Sequence, residues 1–135
     1  MAFITWDDSL DVGVAAFNDD HRRLVGMVNE LHAGIVSGLG ISQMTYILDG
    51  LVEYTRTHFK REEELMTKHG YPELKAHRRE HYDLMVQVAD FQNRLRDGKA
   101  SFSIELMSFL RDWLVTHIKG TDMGYRDFFN ARGAG

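Results

Sequence analysis

The chain has 135 residues, a formal net charge of -4 and no cysteine. That length fits a single domain, 1–135, able to bury roughly two-thirds of its unfolded surface, and the missing thiols exclude disulfides, thiolate zinc sites, iron–sulfur clusters and cysteine nucleophiles. Acids and bases are interspersed without a basic stripe, so nucleic acid is not an expected partner. No apolar run approaches the ~18 residues that span a bilayer, and the start carries Asp7, Asp8 and Asp11 instead of a cationic leader, so a cytoplasmic protein without membrane insertion is expected.

Residues 1–17 read as an ordered N-terminal arm, because Phe3, Trp6, Val12, Val14 and Phe17 are too apolar for a free tail. The helical body covers 18–130. The first helix is predicted from about Asp19 to Ser37, with Asn18 as N-cap, and stops in Gly38-Leu39-Gly40. The second runs from near Ser42 to His69 and ends at Gly70. Pro72 suits the first turn of the third, which continues to Asp97-Gly98. Ser101 or Ser103 opens the fourth, which runs to Lys119-Gly120, and a short stretch follows over Met123–Asn130. Short connections make neighbours antiparallel, so the predicted fold class is all-α: an up-down-up-down four-helix bundle.

Seams of alternating four and three spacing support this. The second helix gives Met44, Leu48, Leu51, Thr55, His58, Glu62, Leu65 and His69; the third gives Leu74, His77, His81, Leu84, Val88, Phe91 and Leu95; the fourth gives Leu106, Leu110, Trp113 and His117. These are inward stripes of the bundle type.

The stripes are apolar except where His or Glu interrupts them. His58 and Glu62 lie about 40° apart around a helix and about 6 Å along it. His77 and His81 repeat that spacing on the third helix. His117 lies on the inner face of the fourth, and His21 shares a face of the first with Leu24, Val25 and Val28. So many ionisable groups in a core need partners; a hydrogen-bonded network and a metal site are the two readings, and two i,i+4 pairs plus lone histidines on the other two helices favour metal.

Glu62 alone of Glu62-Glu63-Glu64 is in register with His58; Glu63 and Glu64 read as a solvated face. Arg78 and Arg79 should point away, while Glu80 can act as an outer partner. His32 and His69 lie too far along their helices to join the site. Asp122, five after His117, is turned by about 140° on an ideal helix. A surface aspartate is the plain reading there, unless a bend or local widening near Gly120 swings it inward.

These residues resemble the hemerythrin domain family, and within it the bacterial branch. The stretches that match are Trp6 with Val12-Gly13; His21 with Leu24, Asn29 and Leu31; His58-Phe59-Lys60-Arg61-Glu62-Glu63; Gly70-Tyr71-Pro72 followed by His77 and His81; and Trp113-Leu114-Val115-Thr116-His117-Ile118 followed by Asp122 and Tyr125. The resemblance covers almost the whole chain. It implies two iron ions bridged by an oxo or hydroxo group and by the carboxylates of Glu62 and Asp122. His77, His81 and His117 would hold one iron. His21 and His58 would hold the other, leaving it a vacant position for dioxygen. Phe59, Trp113, Leu114 and Ile118 would line the oxygen pocket. One departure concerns the start of the first helix: the family usually has Asp three positions before the first histidine and Gln immediately before it, where this chain has Asn18 and Asp20.

The function implied is reversible dioxygen binding for storage, transport or delivery, with no enzymatic turnover. An oxygen-consuming enzyme is a conceivable recipient, and a monomer is expected. Sensing of oxygen or nitric oxide is an alternative, but little chain follows the bundle to hold an output module. A di-iron oxidase or peroxidase is another; such sites use Glu-x-x-His, which is absent here, and five neutral imidazoles stabilise high-valent iron poorly. A zinc or manganese site is a third, since ligand types alone do not fix the metal.

Overall fold

Four seams that each need burial close against one another as a four-helix bundle in the computed structural model, which describes residues 3–98 and 102–133. The helices are α1 (Ala15–Ser37), α2 (Ile41–His69), α3 (Leu74–Arg96) and α4 (Ile104–Thr116), followed by a short α5 (Arg126–Ala131). No strand occurs among the described residues, and no helix among them is long and apolar enough to cross a membrane.

Glycine ends the first two helices. Gly38 and Gly70 adopt φ of 76° and 69°, a left-handed conformation that costs a residue without Cβ little. Leu39 then donates its N–H to the Gly34 carbonyl at 2.9 Å, and Tyr71 donates to Met66 at 2.9 Å, so the last carbonyls of each helix are satisfied. At the other end of the bundle's second half, Ser103 caps α4 by accepting the Leu106 N–H at 3.2 Å. Ser101, the other N-cap candidate in the sequence, lies outside the described residues, as do Met1 and Ala2 of the arm.

Two helix starts differ from the sequence expectation. Helix α3 begins at Leu74, so Pro72 sits in the preceding turn instead of the helix's own first turn. Helix α1 begins at Ala15, and Asn18 is a buried residue within it instead of its cap. Asn18 has another task. Its Oδ1 accepts the Val12 N–H at 2.9 Å, and its Nδ2 donates to Asp11 Oδ1 at 2.8 Å. The side chain thus fastens the arm, and with the arm's backbone satisfied the helix can start one turn earlier.

The arm is ordered along its described length. Ile4, Leu10, Val12 and Val14 are buried. Asn29 of α1 clasps Ile4 from both sides, accepting its N–H at 2.7 Å and donating to its carbonyl at 2.9 Å. Phe3 stacks on His32, ring centroids 4.2 Å apart, which gives His32 a packing role outside the central site.

Helix α4 does not continue as an α-helix. From His117 to Thr121 the backbone widens to a π-helix, and Asp122–Tyr125 tightens to a 3-10 turn. The Asp122 N–H bonds to the His117 carbonyl, an i→i+5 closure that brings the two residues back to one side. The three-residue period of the next turn then puts Tyr125 on that same side.

Replacing Asn18 by alanine removes both fastenings of the arm and leaves the buried Val12 N–H unpaired. We expect a loss of about 1–3 kcal/mol in unfolding free energy and faster cleavage of residues 3–14 in limited proteolysis; urea unfolding with the metal state held fixed checks the first, and a time course checks the second.

Candidate metal centre

The widened end of α4 and the inner stripes of α1, α2 and α3 converge on one buried place. Glu62, His77, His81, His117 and Asp122 each offer a ligand atom within 4.8 Å of the others, and His21, His58 and Glu62 do the same beside them. All seven are buried. Every residue that the spacing and the resemblance singled out as a ligand therefore lies in this cluster, including Asp122, whose position depends on the π segment.

The two carboxylates face both groups. Glu62 Oε1 lies 3.3 Å from His81 Nε2 and 3.7 Å from His77 Nε2, while its Oε2 lies 3.4 Å from His58 Nε2 and 3.7 Å from His21 Nε2. Asp122 divides itself likewise: Oδ1 is 2.8 Å from His77 Nε2 and 3.0 Å from His117 Nε2, and Oδ2 is 3.2 Å from His21 Nε2. A trio (His77, His81, His117) and a pair (His21, His58) thus share two carboxylates.

Hydrogen bonding alone does not account for this proximity. Glu62 Oε1, both Asp122 oxygens and the Nε2 atoms of His77, His81 and His117 are buried without a hydrogen-bond partner. Each such orphan costs about 1–3 kcal/mol. The outer nitrogens explain why. His58 Nδ1 faces Asp20 Oδ2 at 2.7 Å, His81 Nδ1 faces Glu63 Oε2 at 2.9 Å, and His117 Nδ1 faces Glu80 Oε1 at 3.4 Å. A carboxylate there fixes the proton on Nδ1 and leaves the Nε2 lone pair inward. Lone pairs aimed at carboxylate oxygens repel unless a cation lies between them. His21 Nε2 and His58 Nε2, 3.0 Å apart, pose the same problem. The donor set, two anions and five imidazoles, three of them with Nδ1 held by a carboxylate, fits cations of the borderline class that imidazole and carboxylate share.

Protons can play that part when no metal does. Burial pushes the histidines toward neutrality, but the carboxylates outweigh it: Glu62, Asp20 and Asp122 carry His58 up to about 9, and Asp122 and Glu62 carry His77 up to about 10. Burial by itself would raise Glu62, yet the surrounding histidines hold it well below the usual carboxylate range. Tyr125 completes the cluster, donating its hydroxyl to Glu62 Oε2 at 2.7 Å.

The pocket residues are spread more widely. Trp113 and Leu114 line an apolar cavity of about 40 Å³ that lies in the bundle between Leu24, Leu51, Leu84 and Val88. Phe59 stacks on His81, centroids 3.6 Å apart, and Trp113 stacks on His117 at 4.4 Å. Phe59 and Ile118 are buried but do not line that cavity. Two outer partners escaped the sequence reading. Glu63, expected on a solvated face, is turned to His81 and braced by Arg78 Nε at 3.0 Å; Arg78 itself stays outside, as expected. Asp20 had signalled itself only as a departure from the family pattern.

An all-helical bundle whose interior carries such a cluster defines a class of metal-binding proteins, and the comparisons narrow it. The family model of the hemerythrin HHE cation binding domain matches residues 12–128. A bacteriohemerythrin of Stenotrophomonas maltophilia is 38% identical over 127 residues, 94% of this chain and 82% of that protein; one of Methylococcus capsulatus is 38% identical over 128 residues, 93% and 95% of the two chains. A wild-type hemerythrin crystal structure superposes with a TM-score of 0.89 at 36% identity, covering 93% of this chain and 97% of that one. The chain belongs to the hemerythrin family.

The raised histidines fix a pH response. Their protonation stabilises the metal-free fold fully below the unfolded histidine value of about 6.5, and this contribution disappears as pH rises through about 9 and about 10. We expect the Tm of the metal-free protein to fall by several degrees between pH 7 and pH 10, while metal-loaded protein, its histidines already occupied, stays level over that window in differential scanning calorimetry.

Proposed function

We propose that this protein binds dioxygen reversibly at a di-iron centre, with His77, His81 and His117 on one iron, His21 and His58 on the other, and Glu62 and Asp122 bridging. The observation that carries the reading is the division of each carboxylate's two oxygens between the trio and the pair. Unequal histidine numbers leave the pair's position short of one protein ligand, which is where an external molecule can enter. Iron, when bound, supplies electrons that can be lent to dioxygen and recovered. An oxo or hydroxo bridge between the ions is part of this proposal.

The chain's own residues do the rest. Glu62 and Asp122 hold the two positions together, and Tyr125 fixes the Glu62 carboxylate through its hydroxyl. Trp113 and Leu114 keep water from the site on the cavity side. Thr55, the one hydroxyl in the cavity wall, donates to the Leu51 carbonyl at 2.7 Å and so offers the cavity no free proton. A dry apolar space without an acid favours an uncharged diatomic over water and slows proton-driven loss of electrons to the gas. The same features, with a nitrogen-rich donor set, support carriage instead of turnover. Its names among relatives, bacteriohemerythrin at 38% identity, point the same way. We propose a non-enzymatic role in storage or delivery, with dioxygen as ligand and an oxygen-consuming enzyme as recipient.

Anaerobic loading with ferrous iron should give two irons per chain by metal analysis. Admitting air should produce a visible charge-transfer band that argon removes over repeated cycles; oxidation that argon never reverses would defeat the carrier reading. His77→Ala should lower the iron content to one per chain or less and reduce Tm, because ligation and folding are coupled. Leu114→Ala should widen the cavity beside the site and raise the autoxidation rate several-fold, read from decay of the same band.

A further inference from the structure

The outer nitrogens of the five histidines are not held alike. In the trio, His81 and His117 each face a carboxylate, but Glu63 and Glu80 are 24% and 46% exposed, so water competes for both. In the pair, His21 Nδ1 is buried with no partner at all. Only His58 is anchored from outside, and its anchor is Asp20, 9% exposed, at 2.7 Å. Asp20 is itself immobilised on every side. Arg61 grips it with two donors, Nε to Oδ2 at 3.1 Å and Nη2 to Oδ1 at 2.6 Å, and the Tyr54 hydroxyl donates to Oδ1 at 2.7 Å. Because Asp20 directly precedes His21 in α1 and reaches His58 in α2, one residue ties both members of the pair to a single rigid frame.

We propose that Asp20 is the positioning residue of the His21/His58 metal position: it fixes the His58 ring with Nε2 inward and so sets how tightly that position, and not the other, holds its ion. Packing cannot do this by itself. Phe17 meets the His58 ring edge-on, centroids 5.8 Å apart, which restricts tilt but does not select which nitrogen faces the interior. A hydrogen bond to a fixed anion does select it, and the anion also makes Nε2 a stronger donor. The trio has two such supports, so losing either leaves one; the pair has no second support.

The inference rests on the metal reading of the site and not on dioxygen, so it is tested with a metal that does not need gas. Metal-free full-length protein is titrated anaerobically with cobalt(II), followed by the cobalt visible absorption and by calorimetry. Wild type is expected to take two ions. Asp20→Asn keeps the shape and can still accept from Nδ1 but lacks the charge, and Asp20→Ala lacks both. Each should weaken one of the two binding steps by about 10–100-fold, alanine more than asparagine, and leave the other step unchanged. Glu63→Gln and Glu80→Gln should alter the other step, each by less. In zinc-loaded protein, nitrogen-15 spectra of the histidines should show the His58 Nδ1 proton shifted in Asp20→Asn while His77 stays put. Far-UV circular dichroism checks each fold. Should Asp20→Ala fail to fold, Arg61→Met retains the anion with looser support and should weaken the same step by less.

If Asp20→Asn keeps both cobalt affinities within twofold of wild type, Asp20 is only a tie between helices and the proposal fails. Equal weakening of both steps sinks it as well. A wild-type chain that takes up no cobalt removes the metal reading itself, a different outcome from either.

Discussion

Two carboxylates with no access to water cannot stand in a helical core as bare anions, and Glu62 and Asp122 are 0% and 1% exposed. Cations must come to them, as metal ions or as protonated imidazoles, and those have to arrive from several directions at once. The bundle answers with one histidine from α1, one from α2, two from α3 and one from the end of α4. Each helix is thereby locked in rotation and in height relative to the rest, because a slip of one residue turns a donor by about 100° out of the cluster. The apolar stripes above the site supply the driving force for association; the charged cluster supplies the register.

Where the sequence was legible, the reason was periodicity. Four stripes of regular spacing, punctuated by Gly38, Gly70 and Ser103, carry enough signal to name the fold, and polar residues standing in those stripes carry enough to name most of the cluster. Asp122 was not legible on spacing, because a π segment leaves no plain mark on the sequence; only the family resemblance pointed to it. Glu63 was misplaced for the opposite reason. Helical register put it beside the stripe, and the length of its side chain, which lets it reach back to the His81 Nδ1, is invisible to a residue-level wheel. Asn18 was read as a cap because Asn before an apolar run usually is one; its actual partners lie six and seven residues back, in an arm whose course the sequence does not dictate.

The π segment amounts to one residue inserted into α4. It spoils the regular hydrogen bonding of His117–Thr121, a local cost that sets His117 and Asp122, five residues apart, on one side. The tight 3-10 turn behind it spends its own period on Tyr125, so a backbone irregularity of a few residues brings in a histidine, a carboxylate and the hydroxyl bonded to the other carboxylate. The outer ring of Asp20, Glu63 and Glu80 then takes up one nitrogen of His58, His81 and His117 and leaves each of these three rings a single inward nitrogen.

The apolar cavity beside Trp113 and Leu114 also makes the molecule mechanically uneven. A void in a core is volume that the folded state holds and the unfolded state gives back to solvent, so hydrostatic compression works against the fold most at that spot. A small apolar guest acts in reverse, restoring dispersion contacts that the empty walls lack. This compressible void lies across the Trp113 ring from the tethered His117, and a gas molecule lodged there would stiffen the protein at its void.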